Sequence, residues 1–86
     1  MLSIQALADE YYSSHDFKNL RDETKTQYQY FQRVMFDTEI DGQRLGSLNL
    51  ADVSTKQAKL AYDLWCDRGI SFANHVMAAT RILYNY

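Results

Sequence analysis

The sequence predicts an all-α domain, a bundle of four helices, on three observations. Its 86 residues contain no proline and only 3 glycines, so few positions break a helix. Apolar residues recur at helical spacing in four stretches. Side chains able to cap a helix N-terminus stand ahead of those stretches, at Ser3, Thr24, Ser54 and Ser71.

Ser3 precedes Ile4, Leu7, Ala8, Tyr11 and Tyr12, an inward stripe for a first helix ending near Ser13 or Ser14. His15 to Arg21 is polar and irregular, a loop tacked to the core by Phe17 and Leu20. Thr24 with Gln27 fits a capping box opening the second helix, with Asp22 as the alternative cap. Thr24, Tyr28, Phe31 and Met35 form its inward stripe with Val34 beside it, and Asp41-Gly42 marks its stop. Gln43 to Val53 reads as a loop with a turn at Gly46, pinned by Leu45, Leu48, Leu50 and Val53. The alternation from Leu48 to Leu50 has no partner strand, and a lone strand is not stable. Ser54 with Gln57 is a clearer capping box, and Ala58, Ala61, Leu64 and Trp65 make the buried face of the third helix. Gly69 suits the left-handed backbone that ends it, and Ser71 caps the fourth. Phe72, Val76, Ala79 and Leu83 form that helix's core stripe, with Tyr86 near it. It runs to the last residue without a stop signal, so more protein is expected to follow.

Composition narrows the function. Residues 1–86 suit one domain with a single small core, and an aromatic content of 14% excludes a disordered chain. The formal net charge of −2 offers no overall field for nucleic acid, so DNA binding requires a local basic face. No apolar run is long enough to span a membrane, and the start Met1-Leu2-Ser3-Ile4 is no secretory signal. The lone Cys66 fits a cytosolic setting and a packing role.

Catalytic and metal motifs are missing. His15, His75 and Cys66 lie far apart, without the spacing of a metal site, and no cofactor motif is present. Asp9-Glu10 and Asp22-Glu23 stand at helix ends, where carboxylates serve capping and the dipole. Tyr84 and Tyr86 lack the Arg and His cluster that a tyrosine nucleophile attacking phosphate needs. Tyr11, Tyr28 and Tyr62 fall on or beside core stripes rather than on a stacking platform.

Two polar faces are more informative. Lys25, Gln29 and Arg33 lie at i, i+4 and i+8 on the second helix, flanked by Thr26 and Gln32. Asn74, Ala78, Arg81 and Asn85 share a face of the fourth, with His75 at its border. No acidic residue occurs between Gly69 and Tyr86, whereas Asp63 and Asp67 line the outside of the third helix. Such faces can hold phosphates and reach base edges, though a plain solvated helix face has the same composition.

Taken in order, the landmarks resemble the N-terminal core-binding domain of phage integrases and related tyrosine recombinases, the SAM-like integrase domain. The resemblance covers nearly the whole chain. It rests on Leu7-Ala8-Asp9-Glu10-Tyr11-Tyr12, on Thr24-Lys25-Thr26-Gln27-Tyr28, on Gly46 to Ser54, and on Arg68-Gly69-Ile70-Ser71-Phe72-Ala73-Asn74-His75. It implies a four-helix orthogonal bundle whose second and fourth helices face the major groove, clamping one side of double-stranded DNA while a C-terminal catalytic domain grips the other. It implies contacts from Lys25, Thr26, Gln29 and Arg33, and from Asn74, His75 and Arg81. It implies no cofactor and no catalysis in this chain, and a parent that tetramerises on DNA in the bacterial cytosol to integrate or excise it. The expectation from a different class is a helical protein-interaction module, binding a partner helix or itself through Tyr84 and Tyr86.

Overall fold

The computed structural model describes residues 2–86, and it is mostly helical, with 73% helix in five α-helices and one two-stranded sheet. Helix α1 spans Ile4–Tyr12, where Ser3 Oγ accepts the Ala6 N–H at 3.1 Å, and Ser13 ends it. A one-turn helix, α2, His15–Lys18, replaces the expected loop. Ser14 Oγ accepts the Phe17 N–H at 3.3 Å, and burial of Phe17 holds the turn down.

Helix α3 spans Asp22–Asp37 and starts without a side-chain cap, since Arg21 is the cap residue. Neither expected cap forms: Asp22 is already helical, and Thr24 lies inside the first turn, half-buried. Asp22 and Glu23 instead favour that end through the helix dipole. The helix also stops before Asp41-Gly42. These two residues make the turn of a hairpin, β1 Glu39–Ile40 against β2 Gln43–Arg44, with Ile40 opposite Gln43. Both have positive φ, 55° and 80°, as a two-residue hairpin turn of matching twist requires. Burial of Ile40 and a bond from the Leu45 N–H to the Thr38 carbonyl at 2.9 Å anchor a hairpin too short to stand alone.

Two single turns of 3₁₀ helix, Leu45–Ser47 and Leu50–Asp52, lead to helix α4, Thr55–Cys66. Its capping box is complete: Gln57 N–H to Ser54 Oγ and Ser54 N–H to Gln57 Oε1, both at 3.0 Å. Gly69, with φ 116°, turns the chain into helix α5, Ile70–Tyr84. Ser71 is therefore within the helix and does not cap it.

Helices α3 and α4 both pack on α5, which buries Ala73, Val76, Ala79, Thr80 and Leu83. Two details of the inward stripes differ from expectation. On α3 the buried residues are Gln32, Met35 and Phe36, with Tyr28, Phe31 and Val34 half-buried. On α4, Ala61 and Trp65 are buried but Leu64 is 48% exposed. On α3 the shift follows from α1, which claims the Gln32 side of the helix through Tyr12.

Candidate nucleic-acid interface

On α3, Thr26, Gln29 and Arg33 are exposed, and Lys25 is half-buried. The Lys25 ammonium lies over the Phe17 ring, 6.0 Å from its centroid, and 3.9 Å from an Asp22 oxygen. Thr26 Oγ1 donates to the Asp22 carbonyl at 3.0 Å, a bond within the helix. Gln29 and Arg33 line a polar concavity with Gln5, Asp9, Tyr12, Phe36, Asp37 and Arg44. There Arg44 donates to Asp37 at 2.8 Å and to Gln5 Oε1 at 3.3 Å. Two arginines and two carboxylates share this hollow, so it has no strong sign of charge.

On α5, Asn74, His75 and Arg81 are exposed. Asn74 Oδ1 accepts from the Tyr62 hydroxyl at 2.9 Å, which leaves the amide N–H₂ as its outward donor. His75 Nδ1 lies 2.7 Å from the Ser71 carbonyl oxygen, and its ring stacks on Phe31 at 5.2 Å between centroids and 17° between planes. Asn74 and His75 line a second shallow concavity with Ser71 and Ala78. Arg81 follows in the last turn of the helix. Among the described residues neither Arg33 nor Arg81 forms an ion pair.

The two concavities share no lining residue. Phe31, which carries the His75 stack, is two residues from Arg33 and so roughly 160° around the helix axis from it. The structure therefore brings Gln29 and Arg33 together beside α1, and Asn74 and His75 together beside Phe31. The two hollows remain separate.

What adjoins the α5 face is aromatic. Exposed Tyr30 meets Phe31 edge-on at 5.1 Å, Phe31 meets Phe72 at 5.9 Å, and the Arg68 guanidinium lies 4.1 Å from the centre of the Phe72 ring. Phe31 and Phe72 lie on the stripes that the sequence predicts for the core, while Tyr30 and Arg68 belong to neither predicted polar face. The available signal was Tyr30 itself, an aromatic off the inward stripe.

Burial pushes the Tyr12 hydroxyl up to about 12, with Asp9 adding to the rise and Arg33 opposing it. This hydroxyl is therefore a donor at neutral pH, and it serves the fold by bonding Gln32.

Among the described residues no group of three His, Cys, Asp or Glu side chains is placed to hold a metal ion, and no helix is long and apolar enough to cross a membrane. No protein-family model matches the chain, and neither curated proteins nor solved structures provide a match.

Proposed function

We propose that this chain is a double-stranded DNA-binding domain of the kind found at the front of tyrosine recombinases, with a SAM-like integrase fold and no catalytic role of its own. The observation that carries the reading is the exposed side of α5. From Ser71 to Asn85 it offers hydroxyl, amide, imidazole and guanidinium groups and no carboxylate, with Ala78 small enough for close approach to a groove.

In this reading α5 contacts the duplex through Asn74, His75 and Arg81. Lys25, Thr26, Gln29 and Arg33 on α3 hold the phosphate backbone on a separate flank. The parent protein adds a C-terminal catalytic domain, closes around the core recombination site, tetramerises on DNA and works in the bacterial cytosol. Alone, this half of the clamp neutralises only about three or four phosphates and binds weakly, with a salt slope near −3 to −4.

A second reading, a protein-interaction module, draws support from Leu60, Leu64 and Ile70, which are 39%, 48% and 68% exposed. Leu64 also lines an open groove with Val34, Trp65 and Arg68. The C-terminal tyrosines belong to the same reading: Tyr84 and Tyr86 are 49% and 52% exposed, with the Tyr86 ring edge-on to Tyr11 at 5.3 Å.

NMR shift perturbation with a mixed-sequence duplex separates the readings. Salt-sensitive shifts at Asn74, His75 and Arg81 are expected. No shifts with DNA at low salt, together with self-association through Leu64 and Ile70, would overturn the DNA reading.

A further inference from the structure

We infer that His75 is a proton-gated phosphate ligand: the neutral tautomer held by the Ser71 carbonyl presents an acceptor to DNA, and the protonated ring presents a donor. The inference rests on the DNA-binding reading above and assigns a chemistry to one residue of that surface.

The geometry starts from Ser71. Its carbonyl oxygen can only accept, so the His75 Nδ1 lying 2.7 Å away must carry a proton. In the neutral imidazole the other nitrogen, Nε2, is then a bare acceptor. The ring stacks on Phe31 at 5.2 Å and 17°, and the Ser71 bond favours the orientation that turns Nδ1 toward the helix. His75 is exposed and lines a shallow hollow with Ser71, Asn74 and Ala78.

A phosphate oxygen is an acceptor as well. Two acceptors repel, so a contact with the neutral tautomer is unfavourable. A second proton on Nε2 turns the same atom into a cationic donor and the contact into a charge-assisted hydrogen bond. Histidine is the side chain suited to this change, because it gains its charge within the range from pH 5 to 8. The titratable or charged groups beside the stack are Tyr30 on α3, next to Phe31; Tyr62 on α4, bonded to Asn74; and Arg68 over Phe72 before α5. None of these is a carboxylate that would hold the imidazolium in place of a phosphate.

DNA binding must then take up a proton at His75. A phosphate contact that raises the imidazole pKa by one unit makes the affinity change about tenfold between the two pH limits.

The test is fluorescence anisotropy with a fluorescein-labelled mixed-sequence duplex, at constant ionic strength, from pH 8 to pH 5.5. The unaltered chain should bind about three- to tenfold more tightly at the acid end. His75→Gln should flatten that rise, His15→Gln should leave it intact, and His75→Lys should bind tightly at both ends. The His75 ring C–H resonances should move more on adding duplex at pH 5.5 than at pH 8. Binding that keeps its full pH dependence in His75→Gln overturns the inference and leaves the DNA reading standing. So does affinity that falls on acidification, since Nε2 would then be accepting from a base amine. No binding at any pH overturns both.

Discussion

Gln32 on α3 donates from Nε2 to the carbonyl oxygen of Ala79 on α5 at 3.2 Å, and its Oε1 accepts from the Tyr12 hydroxyl on α1. Gln32 is 0% exposed, so one amide ties three helices inside the core. Every polar atom it buries has a partner, which makes the arrangement favourable only while it is complete. It also sets how α3 lies on α5, and with it which flank of α3 meets His75.

Removing one member of this network should cost more than a typical surface change. Tyr12→Phe leaves Gln32 Oε1 buried without its donor, for a loss of about 1–3 kcal/mol. For a domain of this size each 1 kcal/mol lowers Tm by roughly 4–8 °C. Thermal melts by circular dichroism check this; an unchanged Tm would show that water replaces the hydroxyl freely.

The same hydroxyl gives the fold an alkaline limit. Its pKa rises from 10.0 to about 12 on folding, so the neutral form is the one the fold favours. This contribution is complete below pH 10 and declines as the pH climbs toward 12. Tyr11, raised chiefly by burial, acts with the same sign. Urea midpoints at pH 8, 10 and 11.5 should fall in that order, and Tyr12→Phe should reduce the fall.

Trp65 donates from Nε1 to Thr38 Oγ1 at 2.9 Å, joining α4 to the end of α3. Thr38→Val keeps the shape and removes the acceptor. The expected loss is about 1–2 kcal/mol, read from chemical denaturation, with a shift in the Trp65 indole N–H resonance. Thr38→Ser should retain most of the bond.

A methyl at Gly46 would meet Phe36 Cβ at 2.7 Å and Phe36 Cα at 3.0 Å. Since one of these atoms is backbone, the 3₁₀ turn must shift away from α3. Gly46→Ala should therefore destabilise by about 1–3 kcal/mol by overpacking, visible in the same denaturation curves. Gly42→Ala meets no atom, and its cost is that of the left-handed backbone alone.

On the DNA side, Arg81→Ala should weaken duplex binding evenly across sequences and reduce the salt slope by about 0.9 if it neutralises one phosphate. Arg33→Ala should do the same through the α3 flank. Arg33 shares its hollow with Asp9 and Asp37, so its effect is expected to be the smaller. Titrations at several salt concentrations measure both slopes.

The sequence alone determined the helical class, the span of α1 and the capping box of α4. These are local matters: a stripe of Ile4, Ala8 and Tyr11, or a serine three residues before a glutamine, acts within one or two turns of chain. The exposure of Arg33, Asn74 and Arg81 was legible for the same reason, since each lies off its helix's apolar stripe. Long-range packing decided the rest. Gln32 reads as a polar surface residue until Tyr12 and Ala79 arrive from other helices to satisfy both ends of its amide. The Asp41-Gly42 hairpin needs Ile40 buried in the core before two-residue strands can hold. Most consequentially, the spacing of Gln29 and Arg33 puts them on one face of α3 but cannot say which neighbour that face will meet. Packing turned it toward α1 and gave Phe31 to His75, because the tertiary fold, not the helical repeat, chooses which flank of a helix is shared.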